Sequence, residues 1–144
     1  MIRKAHFSDL NTLTDLALKL WPDNDSDALR GELAQIMDST GAAFFLAERD
    51  GTAVGFAQCQ LRRDYVEGTE SSPVGYLEGI FVEAAARGSG VAKGLLCACE
   101  SWAREMGCRE FASDCELTND ESLQFHLNVG FEEANRIICF VKKL

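Results

Sequence analysis

Apolar residues recur along the chain in two rhythms, three to four apart and two apart, and their succession predicts the elements in order. Ile2 to His6 reads as a short strand, after which Ser8 is placed to cap a helix with Leu10, Leu13, Ala17 and Leu20 on one face. Trp21 and Pro22 end it. Asp25 or Ser26 caps a second helix that carries Leu29, Leu33 and Ile36 in one stripe and stops near Thr40 and Gly41. Ala42 to Glu48 and Thr52 to Leu61 read as strands joined at Asp50-Gly51, a pair suited to a two-residue hairpin turn. Arg63 to Pro73 is polar and turn-rich around Tyr65, a loop placed to cover something.

Val74 to Val82 is the strongest strand pattern, apolar on both faces as a central strand would be. Glu78 stands out in its middle, on the face expected to carry Tyr76 and Ile80. A short polar stretch and a glycine-rich turn then open a helix from Gly90 to Met106, with Val91, Leu95, Ala98 and Trp102 on one row and Ala92, Leu96, Cys99 and Ala103 on the next. Gly107 suits its stop. Glu110 to Glu116 reads as a further strand, Asn119 caps a helix to Val129, and a last strand is expected from about Arg136 to Lys142. The order predicts an α/β sandwich around a mixed sheet, a single domain over residues 1–144.

Composition narrows the function. With 14 Lys+Arg against 23 Asp+Glu the net charge is -9, and no basic run could follow a phosphate backbone, so nucleic acid is not an expected partner. An acidic surface favours cationic ligands. No basic-then-apolar leader is visible and no apolar run approaches the ~20 residues that span a bilayer, so no membrane partner is expected and the expected location is the cytoplasm. The six cysteines lack C-x-x-C spacing and there are two histidines, so no metal is expected.

The candidate chemistry gathers around residues 75 to 92. Arg87, Gly88, Ser89, Gly90, Val91 and Ala92 offer one fixed charge and several free N–H groups at the positive end of the following helix, a place where phosphates bind. Glycines are also common at plain strand-to-helix turns, so the turn alone leaves both readings open. A carboxylate inside a buried strand needs a partner or a task. For Glu78 the alternatives are an ion pair with an arginine such as Arg87 or Arg136, or the reception and deprotonation of a substrate amine. Asp114 would face the same cleft, or else serve as a turn residue. Asn119 either caps its helix or also touches a cofactor arm.

The spacing R-x-x-G-x-A, written by Arg87, Gly90 and Ala92, is similar to the acetyl-CoA motif of the GCN5-related N-acetyltransferase (GNAT) superfamily. That resemblance implies acetyl-CoA as co-substrate and a GNAT fold, a mixed central sheet splayed between strands 4 and 5 and flanked by about four helices. Leu20-Trp21-Pro22-Asp23, the run from Tyr65 to Val82, EFASD from Glu110 to Asp114 and GFEEANR from Gly130 to Arg136 further resemble the small aminoglycoside 6'-N-acetyltransferases over nearly the full length. By that resemblance Trp21, Tyr65, Glu78 and Asp114 fall on the substrate side, and Ile80, Phe81, Val82, Arg87 to Ala92 and Asn119 on the cofactor side. Glu78 is implied as the catalytic carboxylate, and N–H groups near Gly79 and Ile80 as donors to the thioester carbonyl. His126 stands where most of the superfamily has a tyrosine thought to protonate the leaving thiolate. Ala85 and Ala86 depart from the family, which usually has a bulkier residue and a second arginine there.

The implied function is transfer of the acetyl group of acetyl-CoA to the 6' amine of aminoglycoside antibiotics, conferring resistance, in a family whose members are commonly dimers. Trp21 and Tyr65 would pack on sugar rings while carboxylates meet the ammonium groups. Two alternatives stand beside it: acetylation of another small amine such as a polyamine, and a non-catalytic acyl-CoA-binding module.

Overall fold

Five strands lie side by side in chain order in the computed structural model, which describes residues 1–144. β1 (Ile2–Lys4), β2 (Ala42–Arg49), β3 (Thr52–Arg62) and β4 (Val74–Val82) are antiparallel neighbours, and β5 (Phe111–Ala112) joins β4 in parallel. α1 (Leu10–Leu20) and α2 (Ser26–Asp38) cover one face, α3 (Val91–Glu105) the other, and α4 (Asp120–Asn128) follows β5. The expected mixed sheet and four helices are therefore present.

Alternation along the strands sorts the apolar residues into two cores. Phe44, Leu46 and Phe56 pack with Leu13, Ala17, Leu29 and Leu33 beneath α1 and α2. Ala43, Phe45, Ala57, Cys59 and Leu77 pack with Leu95, Leu96, Cys99 and Trp102 beneath α3. The Asp50-Gly51 turn has φ of 52° and 76°, the doubly positive pair of a tight hairpin turn. Asp25 caps α2 by accepting from the Ala28 N–H at 3.0 Å. Ser8 caps nothing: it lies inside a short 3₁₀ turn, Phe7–Asp9, which Asp9 closes by accepting from the His6 N–H at 2.8 Å, and α1 begins only at Leu10.

Three features of the sheet depart from the sequence expectation. In β4, Leu77 pairs with Cys59 and Gly79 with Gln58, so Glu78 is an extra residue without a cross-strand partner. This bulge reverses the phase of the strand. Ile80 consequently joins the core under α3, and Phe81 the core under α1, so Glu78 shares its face with Tyr76 and not with Ile80. The strand expected over Glu110–Glu116 pairs only at Gly75↔Phe111 and Tyr76↔Ala112, because β5 then parts from β4. The last strand expected near Arg136–Lys142 does not form. The chain crosses the 65–70 loop, where the Asn135 side-chain amide donates to Glu67 at 3.1 Å, and its remaining residues pair with no strand. Phe140 and Val141 stay 91% and 93% exposed.

Candidate active site

The parting of β4 and β5 places two halves of a site around one fork. From Leu77 onward β4 has no neighbour on the β5 side, so alternate backbone groups of its edge face the opening. Gly79 and Ile80, expected as N–H donors there, lie in this unaccompanied stretch, and Ile80 and Phe81 are half-buried while Val82 is buried.

The first half is the turn that leads out of β4. Arg87 folds back so that its Nε donates to the Val82 carbonyl at 2.9 Å, fastening the turn to the strand end. Gly88 and Gly90 have φ of 76° and 83°, a left-handed conformation that side chains resist, and a Cβ at either would meet nothing within 4 Å. The turn and cap bonds of the backbone include none from the N–H groups of Gly88, Ser89, Gly90, Val91 or Ala92. They gather at the N-terminus of the 15-residue α3, where the helix dipole is positive. The Ser89 hydroxyl donates to the Ala86 carbonyl at 2.7 Å and accepts from the Arg49 guanidinium at 2.9 Å. Arg49 comes from the end of β2, so a second arginine reaches the turn from a distant segment. Lys93 is exposed one turn further on.

The second half is built on the bulge. Both Glu78 oxygens are engaged by Arg62 at the end of β3, from Nε at 3.0 Å and from Nη2 at 2.9 Å. The partner is thus neither Arg87 nor Arg136: Arg87 is tied to Val82, and Arg136 pairs with Glu133. The Arg62 guanidinium also lies 3.4 Å from the centroid of the Tyr76 ring. Tyr76 in turn donates its hydroxyl to Asp114. Burial, with the Asp114 hydrogen bond second, pushes the Tyr76 phenol well above its usual range, and the Glu78 hydrogen bonds raise Arg62 further. Glu78, Arg62, Tyr76 and Asp114 form one connected group.

Trp21, just past α1, lies against Gly79. A Cβ added there would sit 2.6 Å from the indole. Tyr65 is 78% exposed on the 63–73 loop and donates to Glu67 at 3.1 Å, while its neighbour Val66 is buried against Val74 and Tyr76. The substrate-side candidates therefore come to one side of the fork, Trp21 and Glu78 at the strand, Asp114 through Tyr76, and Tyr65 on the loop above.

On the far side of the fork, the Asn119 side-chain oxygen accepts from the Ser122 N–H at 3.1 Å and so caps α4. His126 Nδ1 donates to the Ser122 carbonyl at 2.6 Å, and its Nε2 meets the Ser113 hydroxyl at 2.8 Å. A neutral ring held in this way accepts the Ser113 proton at Nε2. Ser113 itself lies 3.5 Å from the Leu77 carbonyl, at the first residue beyond the β4–β5 pairing.

The Acetyltransferase (GNAT) family model matches residues 10–131. The chain belongs to the GNAT acetyltransferase family. Among its relatives, an aminoglycoside N(6')-acetyltransferase type 1 of Stenotrophomonas maltophilia is 45% identical over 139 residues, covering 96% of this chain and 90% of the relative. One of Salmonella typhimurium is 42% identical over 142 residues, covering 99% and 98%. The solved structure of AAC(6')-Iy in complex with the bisubstrate analogue CoA-S-monomethyl-acetylneamine superposes with a TM-score of 0.96 at 41% identity, covering 100% of this chain and 98% of that one.

Acetyl-CoA, the co-substrate of GNAT enzymes, fits the residues present. The unpartnered N–H groups from Gly88 to Ala92, the open space above both glycines and the guanidinium of Arg49 make a cationic cradle suited to phosphates. Sequence reasoning missed Arg49, Arg62 and Ser113, the last hidden inside EFASD beside Asp114. Neither arginine lies in a motif, and each reaches the site through strand pairing. No group of His, Cys, Asp and Glu is arranged to hold a metal ion, and no helix is long and apolar enough to cross a membrane.

Proposed function

We propose that this chain transfers the acetyl group of acetyl-CoA to the 6' amine of aminoglycosides by direct attack, and thereby confers resistance to them. One observation carries the reading: the strand that bears the bulged Glu78 runs on into the glycine turn, and the stretch of it between the two has an open edge where β5 has left β4. Arg87 to Ala92 and Arg49 hold phosphates, and the edge of Ile80 to Val82 lines the path toward the fork. When bound, acetyl-CoA supplies an activated acyl group and a thiol leaving group. Glu78 receives the amine, and Trp21 and Tyr65 pack on the sugar rings. Asp114 adds a carboxylate for a further ammonium. At the fork, a His126 ring carrying a proton on both nitrogens would donate from Nε2 to the Ser113 oxygen while the Ser113 hydroxyl proton passes to the leaving thiolate, which leaves the ring neutral. Asn119 holds the first turn of α4 in place and leaves its amide N–H free to bond the cofactor.

The reading extends to a homodimer in the cytoplasm, where acetyl-CoA is made and used. Ile137, Ile138, Phe140 and Val141 are each worth ~1.5–3 kcal/mol when buried, yet they lie exposed. The outer edge of β5 is unpaired, and beside it lies a cavity of ≈ 270 Å³ lined partly by Ala103, Cys108, Phe111, Val129 and Phe131. A second copy's C-terminal segment, added there as a strand, would cover both. Removing residues 136–144 should then give a monomer in sedimentation; an unchanged mass would remove this part of the reading.

Thiol release from acetyl-CoA tests the activity. Turnover is expected with aminoglycosides bearing a free 6' amine and not with one lacking it. Faster turnover of spermidine would replace the drug by a polyamine. Tight acetyl-CoA binding without turnover of any acceptor would reduce the chain to an acyl-CoA-binding module.

A further inference from the structure

The proposed role of Glu78 contains an opposition that the structure addresses through Arg62. A lone carboxylate that draws in an ammonium also holds the proton on it, and only the free amine can attack a thioester. Glu78 is not alone. Its two oxygens take two parallel hydrogen bonds from Arg62, and the Arg62 plane is stacked on Tyr76, so the guanidinium is fixed in place from two directions. At side-chain exposures of 39% for Arg62 and 17% for Glu78, such a pair adds little to folding stability. Its location is more informative, because the carboxylate it neutralises is the extra residue of the bulge, at the fork.

We infer that Arg62 cancels the charge of Glu78 toward the reacting amine, so that the 6' position is received by a neutral ion pair and held as the free base. The proton leaves to bulk water before attack. The remaining ammonium groups of the drug stay charged and bind carboxylates that have no cationic partner, of which Asp114 is the nearest to the pair. Arg62 is then a positioning residue: it acts through Glu78 and touches neither the acyl group nor the acceptor. The inference rests on the reading of Glu78 as the group that receives the amine.

The charged and titratable groups around Glu78 are few. Arg62 comes from β3, Tyr76 from β4, and Asp114 from beyond β5. α1 presents the uncharged Trp21 at this level, its Lys19 being paired with Glu83. The covering loop carries Arg63, Asp64, Tyr65, Glu67 and Glu70, with Glu67 bonded to Tyr65 and Asn135 and the Glu70 N–H donating to Glu110 at 2.9 Å. From α4, His126 is occupied by Ser113 and Ser122.

The test is the pH dependence of kcat in the full chain with a 6'-amino aminoglycoside as acceptor. In Arg62→Gln the acid limb should move alkaline by roughly one pH unit, so that turnover below the limb falls about tenfold and returns to the wild-type value at alkaline pH. Arg62→Lys, which keeps the charge, should leave the limb near its wild-type position. An acceptor whose reactive amine is made less basic by a neighbouring fluorine should shrink the Arg62→Gln deficit. Arg62→Met, with its stem still over Tyr76, serves if the Gln variant does not fold. A loss that is uniform across pH, or an unmoved limb, overturns the inference. Glu78→Gln separates the two levels: wild-type turnover there removes the reading of Glu78 itself, whereas a severe loss there beside an unmoved limb in Arg62→Gln removes only the inference about Arg62.

Discussion

The donor and acceptor halves of the site share one strand and are built in opposite ways. On the donor side, Gly88 to Ala92 are consecutive, their conformation is set by two positive-φ glycines, and their N–H groups point outward because a helix begins there. On the acceptor side, Glu78, Arg62, Tyr76 and Asp114 come from three strand regions and meet only when the sheet is assembled. A ligand that is always the same can be met by a local motif. An acceptor with several amines needs charges whose separation is fixed by tertiary structure, so its specificity is tied to the register of the sheet.

That contrast predicts separable failures. The largest belongs to Glu78→Gln, where kcat should fall by ~10²–10³ as expected for loss of the group that positions the attacking amine, with acetyl-CoA affinity by calorimetry nearly unchanged. Equal damage to both would mean that the halves are one unit. Gly90→Val should act in the other direction. A branched side chain at φ of 83° is strained by ~1–3 kcal/mol, so KM for acetyl-CoA should rise roughly tenfold while KM for the drug stays put. Arg49→Ala is expected to weaken acetyl-CoA binding by ~0.5–1 kcal/mol, an effect that shrinks with added salt.

Asp9→Asn should disturb neither half. Hydrogen bonds from Arg3, with one from the His6 N–H, hold this carboxyl at about 2, below its ordinary 3.8. Its contribution is complete above the ordinary value and lost as pH falls through the lowered one. The variant should therefore be less stable by ~1 kcal/mol at neutral pH in denaturant melts, the two proteins converging near pH 2, with both KM values unchanged.

The same contrast separates what could be read from the chain. Helix stripes, the Asp50-Gly51 turn, the Asp25 and Asn119 caps and the glycine turn at residues 88–90 depend on neighbours within a few residues, and each is legible. The Arg62 partner of Glu78 lies 16 residues away, beyond a loop, and depends on a bulge whose only local sign is Gly79. A register that shifts by one residue inside a strand leaves no period to detect, which is why Ile80 was expected on the wrong face. Arg136 to Lys142 alternates well enough to read as a strand, but a strand also needs a partner to pair with, and alternation does not supply one. The fifth strand was expected too long for a related reason, since EFASD keeps its β pattern after it has left its neighbour.

The contact between Trp21 and Gly79 makes the acceptor wall adjustable from behind. An alanine at 79 would place its methyl 2.6 Å from the indole and 3.1 Å from Leu20, so the ring would have to shift, and with it the wall that Trp21 is proposed to offer a sugar ring. On the proposed reading, resistance profiles would drift through a change hidden behind the residue that meets the antibiotic.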